Sequence, residues 1–173
     1  MEQKNKVKRA KNGDDLAFQE LIELHKDKLY RIAYMYVKNE SDTLDIVHET
    51  IYKAFISIKK LKSDDYFTTW ITRILINCAL DYIRKQKKLV FFDGRKETES
   101  EDNHFPVEDR IVLFDAIDQL EQKYKTIIIL KYYKDLTLQQ IAEVLDCPIG
   151  TAKVNLHRAL KKLRIHLKEV QAK

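Results

Sequence analysis

Leu136-Thr137-Leu138-Gln139-Gln140-Ile141-Ala142-Glu143-Val144-Leu145 is followed by the break Asp146-Cys147-Pro148 and then by Ile149-Gly150-Thr151-Ala152-Lys153-Val154-Asn155-Leu156-His157-Arg158-Ala159. Thr137 and Gln140 stand at capping-box spacing, so a helix is predicted to open there, each side chain satisfying the other residue's backbone N–H. The helix is short and ends at the break, because proline cannot continue it. A longer basic helix is predicted next, with Leu156, Leu160, Leu163 and Leu167 on its inward side. A short helix, a tight turn and a basic helix make a helix-turn-helix. Ala142 falls where the two helices would cross, and its small side chain permits close approach. The residue that must turn left-handed is Asp146, which tolerates that conformation better than most.

The outward side of the second helix carries the chemistry. Gly150 and Thr151 open it, and a helix N-terminus presents free N–H groups to a phosphate. Lys153, Asn155, His157 and Arg158 follow on the polar side, with Val154 between them. Lys and Arg pair with phosphates or guanine edges, and Asn reads adenine. The alternative is a structural helix pair with a solvated basic face.

Outward from this segment the chain reads as helical throughout. Only 3 Gly and 2 Pro occur in 173 residues, too few turn residues for a sheet protein. A hydrophobic share of 45% is enough to build cores. A helix is predicted after Asn12-Gly13-Asp14, capped by Asp14 or Asp15, with Leu21, Leu24, Leu29, Ile32 and Tyr36 at helical spacing. Asn39 to Asp42 reads as a turn. The next helix carries Leu44, Val47, Ile51, Ala54, Phe55, Ile58 and Leu61 as an apolar stripe, opposite Asp45, His48, Glu49, Tyr52 and Lys53. A third runs from about Thr69 to Lys85 on Ile71, Ile74, Leu75, Cys78 and Tyr82. Periodicity then fails around Gly94, an acidic run and Pro106. Four further helices are predicted, at 111–120, 124–133, 138–145 and 149–170. The expectation is an all-α chain of two small helical domains, 1–88 and 110–173, joined by a flexible acidic linker, 89–109.

Charge sharpens this picture. The net charge is +5, and the cations are concentrated. Lys153, Arg158, Lys161, Lys162, Arg164, Lys168 and Lys173 form one group, and Arg84, Lys85, Lys87 and Lys88 another. Glu99, Glu101, Asp102 and Glu108 lie between them. Two basic lobes with an acidic spacer point to a polyanion partner. Cys78 and Cys147 are isolated, so neither a zinc site nor a disulfide framework is indicated. The basic start Met1 to Lys11 leads into no apolar core of signal-peptide length, and no run approaches transmembrane length. A cytoplasmic protein with no cofactor, no metal and no direct membrane insertion is expected.

Two segments resemble one family, the bacterial sigma-70 factors of the small extracytoplasmic-function group. The first is Asp42-Thr43-Leu44-Asp45-Ile46-Val47-His48-Glu49-Thr50-Ile51-Tyr52-Lys53-Ala54-Phe55, with Phe67-Thr68-Thr69-Trp70-Ile71-Thr72-Arg73-Ile74-Leu75-Ile76-Asn77. It is similar to the family's promoter-melting domain, although Thr43, Leu44, His48 and Ile51 depart from the usual residues. The second is the helix-turn-helix, in which Gly150, Thr151, Lys153, Arg158 and Ala159 match. Gln140, Val154 and Asn155 differ there, which bears on the DNA sequence read and not on the fold.

The resemblance implies a non-enzymatic subunit that binds core RNA polymerase, through its β′ and β subunits, and directs initiation at promoter DNA. Asp45 and Glu49, with His48 and Tyr52, would meet the β′ coiled coil. The loop Lys62, Ser63, Asp64, Asp65 and Tyr66 would capture a base flipped from the −10 element. Arg73, Asn77, Asp81 and Arg84 would lie against the melted strand. Gly150, Thr151, Lys153, Val154, His157 and Arg158 would read the −35 element. Trp70 is either an anchor for its helix or a base-stacking ring, and Asn77 either a surface amide or a strand contact. The spacer is either a solvated tether or a nucleic-acid mimic in the RNA-exit path. An anti-sigma partner, often membrane-anchored, is implied as well. The rival readings are a dimeric operator-binding regulator, a metal-dependent nucleic-acid hydrolase, and a helical interaction protein with merely solubilising cations.

Overall fold

The computed structural model describes residues 2–93, 113 and 115–171, without the side chains of 87–93 and 169–171. The chain falls into two compact units, Met1–Asp102 and Asn103–Lys173. All secondary structure among the described residues is helical, as expected for an all-α chain.

The first unit contains α1 (Glu2–Lys11), α2 (Asp15–Val37), α3 (Glu40–Ser57) and α4 (Phe67–Asp93). Helix α1 is an element that the sequence reading treats only as a basic start. It forms because nothing breaks it before Gly13, whose φ of +94° makes the turn. Val7 and Ala10 are buried, and α1 packs on α2. Asp14 caps α2, accepting from the Ala17 N–H at 3.0 Å, while Arg9 Nε donates to its other oxygen at 2.8 Å. These hydrogen bonds, that from Ala17 first, hold the Asp14 carboxyl below the usual range. Lys38 ends α2 in the left-handed conformation, and Asn39 caps α3 at once by accepting from the Asp42 N–H at 2.8 Å. The turn is therefore tighter than the 39–42 span expected.

The inward side of α3 differs from the expected stripe. Thr43, Ile46, Val47, Thr50 and Ala54 are buried, whereas Leu44 and Phe55 are 39% and 47% exposed. Two threonines can be buried because their hydroxyls donate to backbone carbonyls, Thr43 to Asn39 at 2.5 Å and Thr50 to Ile46 at 2.7 Å. Ile58 and Leu61 are buried just beyond the helix, as expected. In α2, Leu21, His25, Leu29 and Ile32 own the inward side, leaving Leu24 58% exposed. In α4 the inward residues are Phe67, Ile71, Thr72, Leu75, Ile76, Cys78 and Ala79. The helix runs to Asp93, past the predicted linker start at 89, since no glycine or proline intervenes before Gly94. Residues 94–109 of that linker lie outside the described residues.

The second unit has a helical stretch at 115–118, then α5 (Gln122–Ile128), α6 (Leu138–Leu145) and α7 (Ile149–Gln171). Helix α5 runs into a π-helical turn, Ile129–Tyr133, so the single helix expected at 124–133 changes its pitch midway. Lys125 is buried and paired with Asp118 at 2.7 Å, tying α5 to the preceding stretch. Helices α5 and α6 both pack on α7. Ala152 and Ala159 are fully buried on α7 and Leu163 is buried, while Leu156, Leu160 and Leu167 flank them half-buried. Helices α6 and α7 pack together, and Ala142 of α6 is buried, as are Ala152 and Ala159 of α7.

Candidate functional site

Three surfaces carry the candidate residues, and each is a consequence of what its helix buries. On α3 the buried side of Thr43, Ile46, Val47, Thr50 and Ala54 leaves a second row of residues facing outward. Leu44, Asp45, His48, Glu49, Tyr52, Phe55 and Ile56 are all exposed and recur at steps of three and four. The face is acidic and apolar at once. Glu49 pairs with Lys53 at 3.1 Å, and this hydrogen bond raises the Lys53 pKa. The edge of Phe55 meets Phe18 with ring centroids 5.2 Å apart. Behind the face, Tyr82 of α4 is pushed up to about 12, first by burial and then by its hydrogen bond to Asp42.

The second surface joins the 62–66 loop to the outer side of α4. Lys62, Asp65 and Tyr66 are exposed, Ser63 and Asp64 partly so. Asp64–Tyr66 forms a 3₁₀ turn that runs directly into α4. Trp70, Arg73, Asn77, Asp81 and Arg84 then follow on the side of α4 opposite the buried residues. Trp70 is half-exposed, its ring tilted against Phe67 at 5.9 Å. The contact with Phe67 leaves part of the residue accessible. Asn77 and Arg84 are exposed, and Arg84 pairs with Asp81.

Sequence reasoning missed the support of this loop. Lys4 Nζ lies 2.7 Å from Asp65 Oδ2, and Lys11 Nζ lies 3.0 Å from Asp64 Oδ1. Gln3 Nε2 donates to Thr68 Oγ1 at 3.2 Å. The sequence carries only a faint signal for the helix that supplies this support, Glu2 and Lys6 at i,i+4 and the apolar pair Val7 and Ala10.

The third surface is the helix-turn-helix. Thr137 Oγ1 accepts from the Gln140 N–H at 3.2 Å, and Gln140 Oε1 accepts from the Thr137 N–H at 2.9 Å, completing the capping box. Asp146 adopts φ 52° and ψ 49°, the left-handed turn expected of it. Gly150, Thr151, Lys153, Val154, His157 and Arg158 are all exposed, and Asn155 is half-buried. Lys161, Arg164 and Lys168 extend the basic side along the helix. Lys162 turns away from it to pair with Glu121 at 2.6 Å, close to the Tyr124 ring. Glu121 is lowered by Lys162 first and then by Lys123. A Cβ on Gly150 would meet nothing within 4 Å, so packing inside the protein does not require a glycine there.

Among the described residues no group of three or more His, Cys, Asp or Glu could hold a metal ion, and no helix is long and apolar enough to cross a membrane.

Comparisons with known proteins show the family. The family model described as Sigma-70 region 2 matches residues 21–89, which include α3 and the loop. The one described as Sigma-70, region 4 matches residues 110–163, which include the helix-turn-helix. The RNA polymerase sigma factor SigV of Bacillus subtilis (strain 168) is 40% identical over 146 residues, covering 83% of this chain and 86% of that protein. The ECF RNA polymerase sigma factor SigW of the same organism is 32% identical, covering 96% and 97%. Among solved structures, the sigma factor RpoE in complex with the anti-sigma factor NepR from Bartonella quintana is similar in fold. Its TM-score is 0.75 at 21% identity, covering 87% of this chain and 96% of that one.

Proposed function

We infer the working of the molecule from one premise: the chain belongs to the extracytoplasmic-function group of the sigma-70 family, the sigma subunits that direct RNA polymerase to promoters. In our reading residues 1–88 bind core polymerase and melt the −10 element, residues 110–173 hold the −35 element, and 89–109 join them. The protein contributes binding and no catalytic step of its own. In our reading it acts in the cytoplasm under the control of an anti-sigma partner; RpoE, which shares the fold, is found in complex with the anti-sigma factor NepR.

The observation that carries this reading is that one chain presents an acidic, apolar helix face and a basic, polar one. The α3 face, with Asp45, His48, Glu49 and Tyr52, suits a protein partner that supplies cations. Its exposed Leu44, Phe55 and Ile56 add apolar area that a nucleic acid would not use. The α7 face suits duplex DNA. Lys153 and Arg158 bind phosphates or guanine edges, Val154 contacts a thymine methyl, and His157 and Thr151 add polar contacts. Gly150 keeps the helix start bare where a phosphate must approach the backbone, which accounts for a glycine that internal packing does not demand.

Strand opening follows without a nucleotide triphosphate. Lys62, Ser63, Asp64, Asp65 and Tyr66 form the loop that takes a flipped −10 base, and Arg73, Asn77 and Arg84 lie along the separated strand. Unstacking costs a few kcal/mol and is offset by stacking, edge hydrogen bonds and phosphate pairing. Run-off transcription from a pool of bacterial promoters, with core polymerase alone and with the protein added, tests the whole reading. The expected result is discrete new transcripts whose start sites share −10 and −35 sequences. No new transcript, from a preparation that binds duplex operator DNA as a dimer, would overturn it.

A further inference from the structure

Helix α1 grips the 62–66 loop at adjacent acidic residues. Lys4 and Lys11 stand seven residues apart, on the same side of α1 two turns along. They reach Asp65 at 2.7 Å and Asp64 at 3.0 Å, and Gln3 reaches Thr68, just beyond the turn, at 3.2 Å. The helix itself is fixed, because Val7 is fully buried, Ala10 nearly so, and Lys6 pairs with Glu20 of α2 at 3.2 Å. The Lys11–Asp64 pair is partly buried, with the Asp64 side chain only 13% exposed. The loop therefore cannot move independently of α1 without breaking both ion pairs.

Charge gives the arrangement a purpose. Asp64 and Asp65 put two carboxylates into a loop that must approach a polyanion. Left alone they would repel the strand, and paired with lysines they do not. We propose that Lys4 and Lys11 are positioning residues for strand capture: through Asp65 and Asp64 they hold the 3₁₀ turn in its base-accepting shape and cancel its negative charge. This rests on the reading of the loop as the −10 capture element.

The test uses the full chain with core polymerase, on a promoter recovered from the run-off pool and on versions with each −10 base replaced. Open complexes are counted by permanganate reactivity, alongside core affinity and the melting temperature of each variant. Lys4→Ala/Lys11→Ala should lower open-complex formation about fivefold to tenfold and flatten discrimination among −10 bases by a similar factor, leaving core affinity unchanged. Lys4→Arg/Lys11→Arg should restore both. A milder pair guards against misfolding: Lys11→Gln and Asp64→Asn should be less than additive, since one acts through the other. Additive effects would overturn the proposal, because the lysine would then act on DNA directly. If Tyr66→Ala abolishes discrimination while Lys4→Ala/Lys11→Ala keeps it, α1 does not position the loop although the loop still captures the base. If both variants keep full discrimination, the loop reading falls and the inference with it.

Discussion

Helices α3 and α7 solve the same problem with opposite charge. Each turns a row of side chains outward over a buried side, Thr43, Ile46, Val47, Thr50 and Ala54 on one and Ala152, Ala159 and Leu163 on the other. On α3 the outward residues are aromatic, aliphatic and acidic; on α7 they are mostly basic and polar. A protein surface rewards apolar area and a few steering charges. A DNA duplex rewards cations and edge-reading side chains. In our proposal the difference between the two faces is a difference between two kinds of partner.

The largest effect is expected on α3. Asp45→Arg/Glu49→Arg should weaken binding to core polymerase at least about thirtyfold, because like charges would then meet across the interface. The fold should persist, as both residues are exposed. Fluorescence anisotropy with labelled protein measures the affinity, and circular dichroism checks the fold. Unchanged affinity would mean that α3 is not the polymerase face.

On α7 the matching change is Lys153→Ala/Arg158→Ala. Affinity for promoter duplex should fall about tenfold to a hundredfold, and the salt dependence of binding should shallow by about two ions. Core affinity should not change. Titrations against salt, run separately for promoter duplex and for core polymerase, distinguish the two faces: this variant should change the slope for DNA and leave that for core unchanged.

A smaller effect probes the scaffold beneath α7. Thr137→Ala removes a hydroxyl from the capping box and should destabilise the second unit by about 1 kcal/mol, measured by urea unfolding. The smallest probes what lies behind α3. Tyr82 has its folded pKa raised from 10.0 to about 12, so its neutral form is favoured in the fold. That contribution is complete below pH 10 and is lost as pH rises through about 12. Tyr82→Phe should remove this step from an alkaline unfolding profile and leave the acid side unchanged.

The helix-turn-helix was legible in the sequence almost residue by residue. A capping box, a left-handed turn position and a proline are local signals, and their geometry does not wait on tertiary contacts. Helix α3 was legible as a helix but not in its rotation. A stripe chosen by apolarity passes over Thr43 and Thr50, whose hydroxyls vanish into the helix backbone. That same error placed Leu44 and Phe55 inward, and so hid the apolar half of the proposed polymerase face. Helix α1 was missed because a mostly charged segment with two apolar residues has little periodicity to show. Its bracing of the loop spans more than fifty residues of sequence, a separation that local pattern cannot bridge.

The two thiols have unequal surroundings, and that makes the molecule easy to instrument. Cys78 is buried within the first unit, and desolvation raises its pKa. Cys147 is half-exposed in the turn between α6 and α7. Thiolate character and access govern alkylation, so a maleimide dye reaches Cys147 first. The wild-type chain thus accepts an optical reporter one turn from the proposed −35 contacts, with no engineered cysteine and no label on the proposed polymerase face.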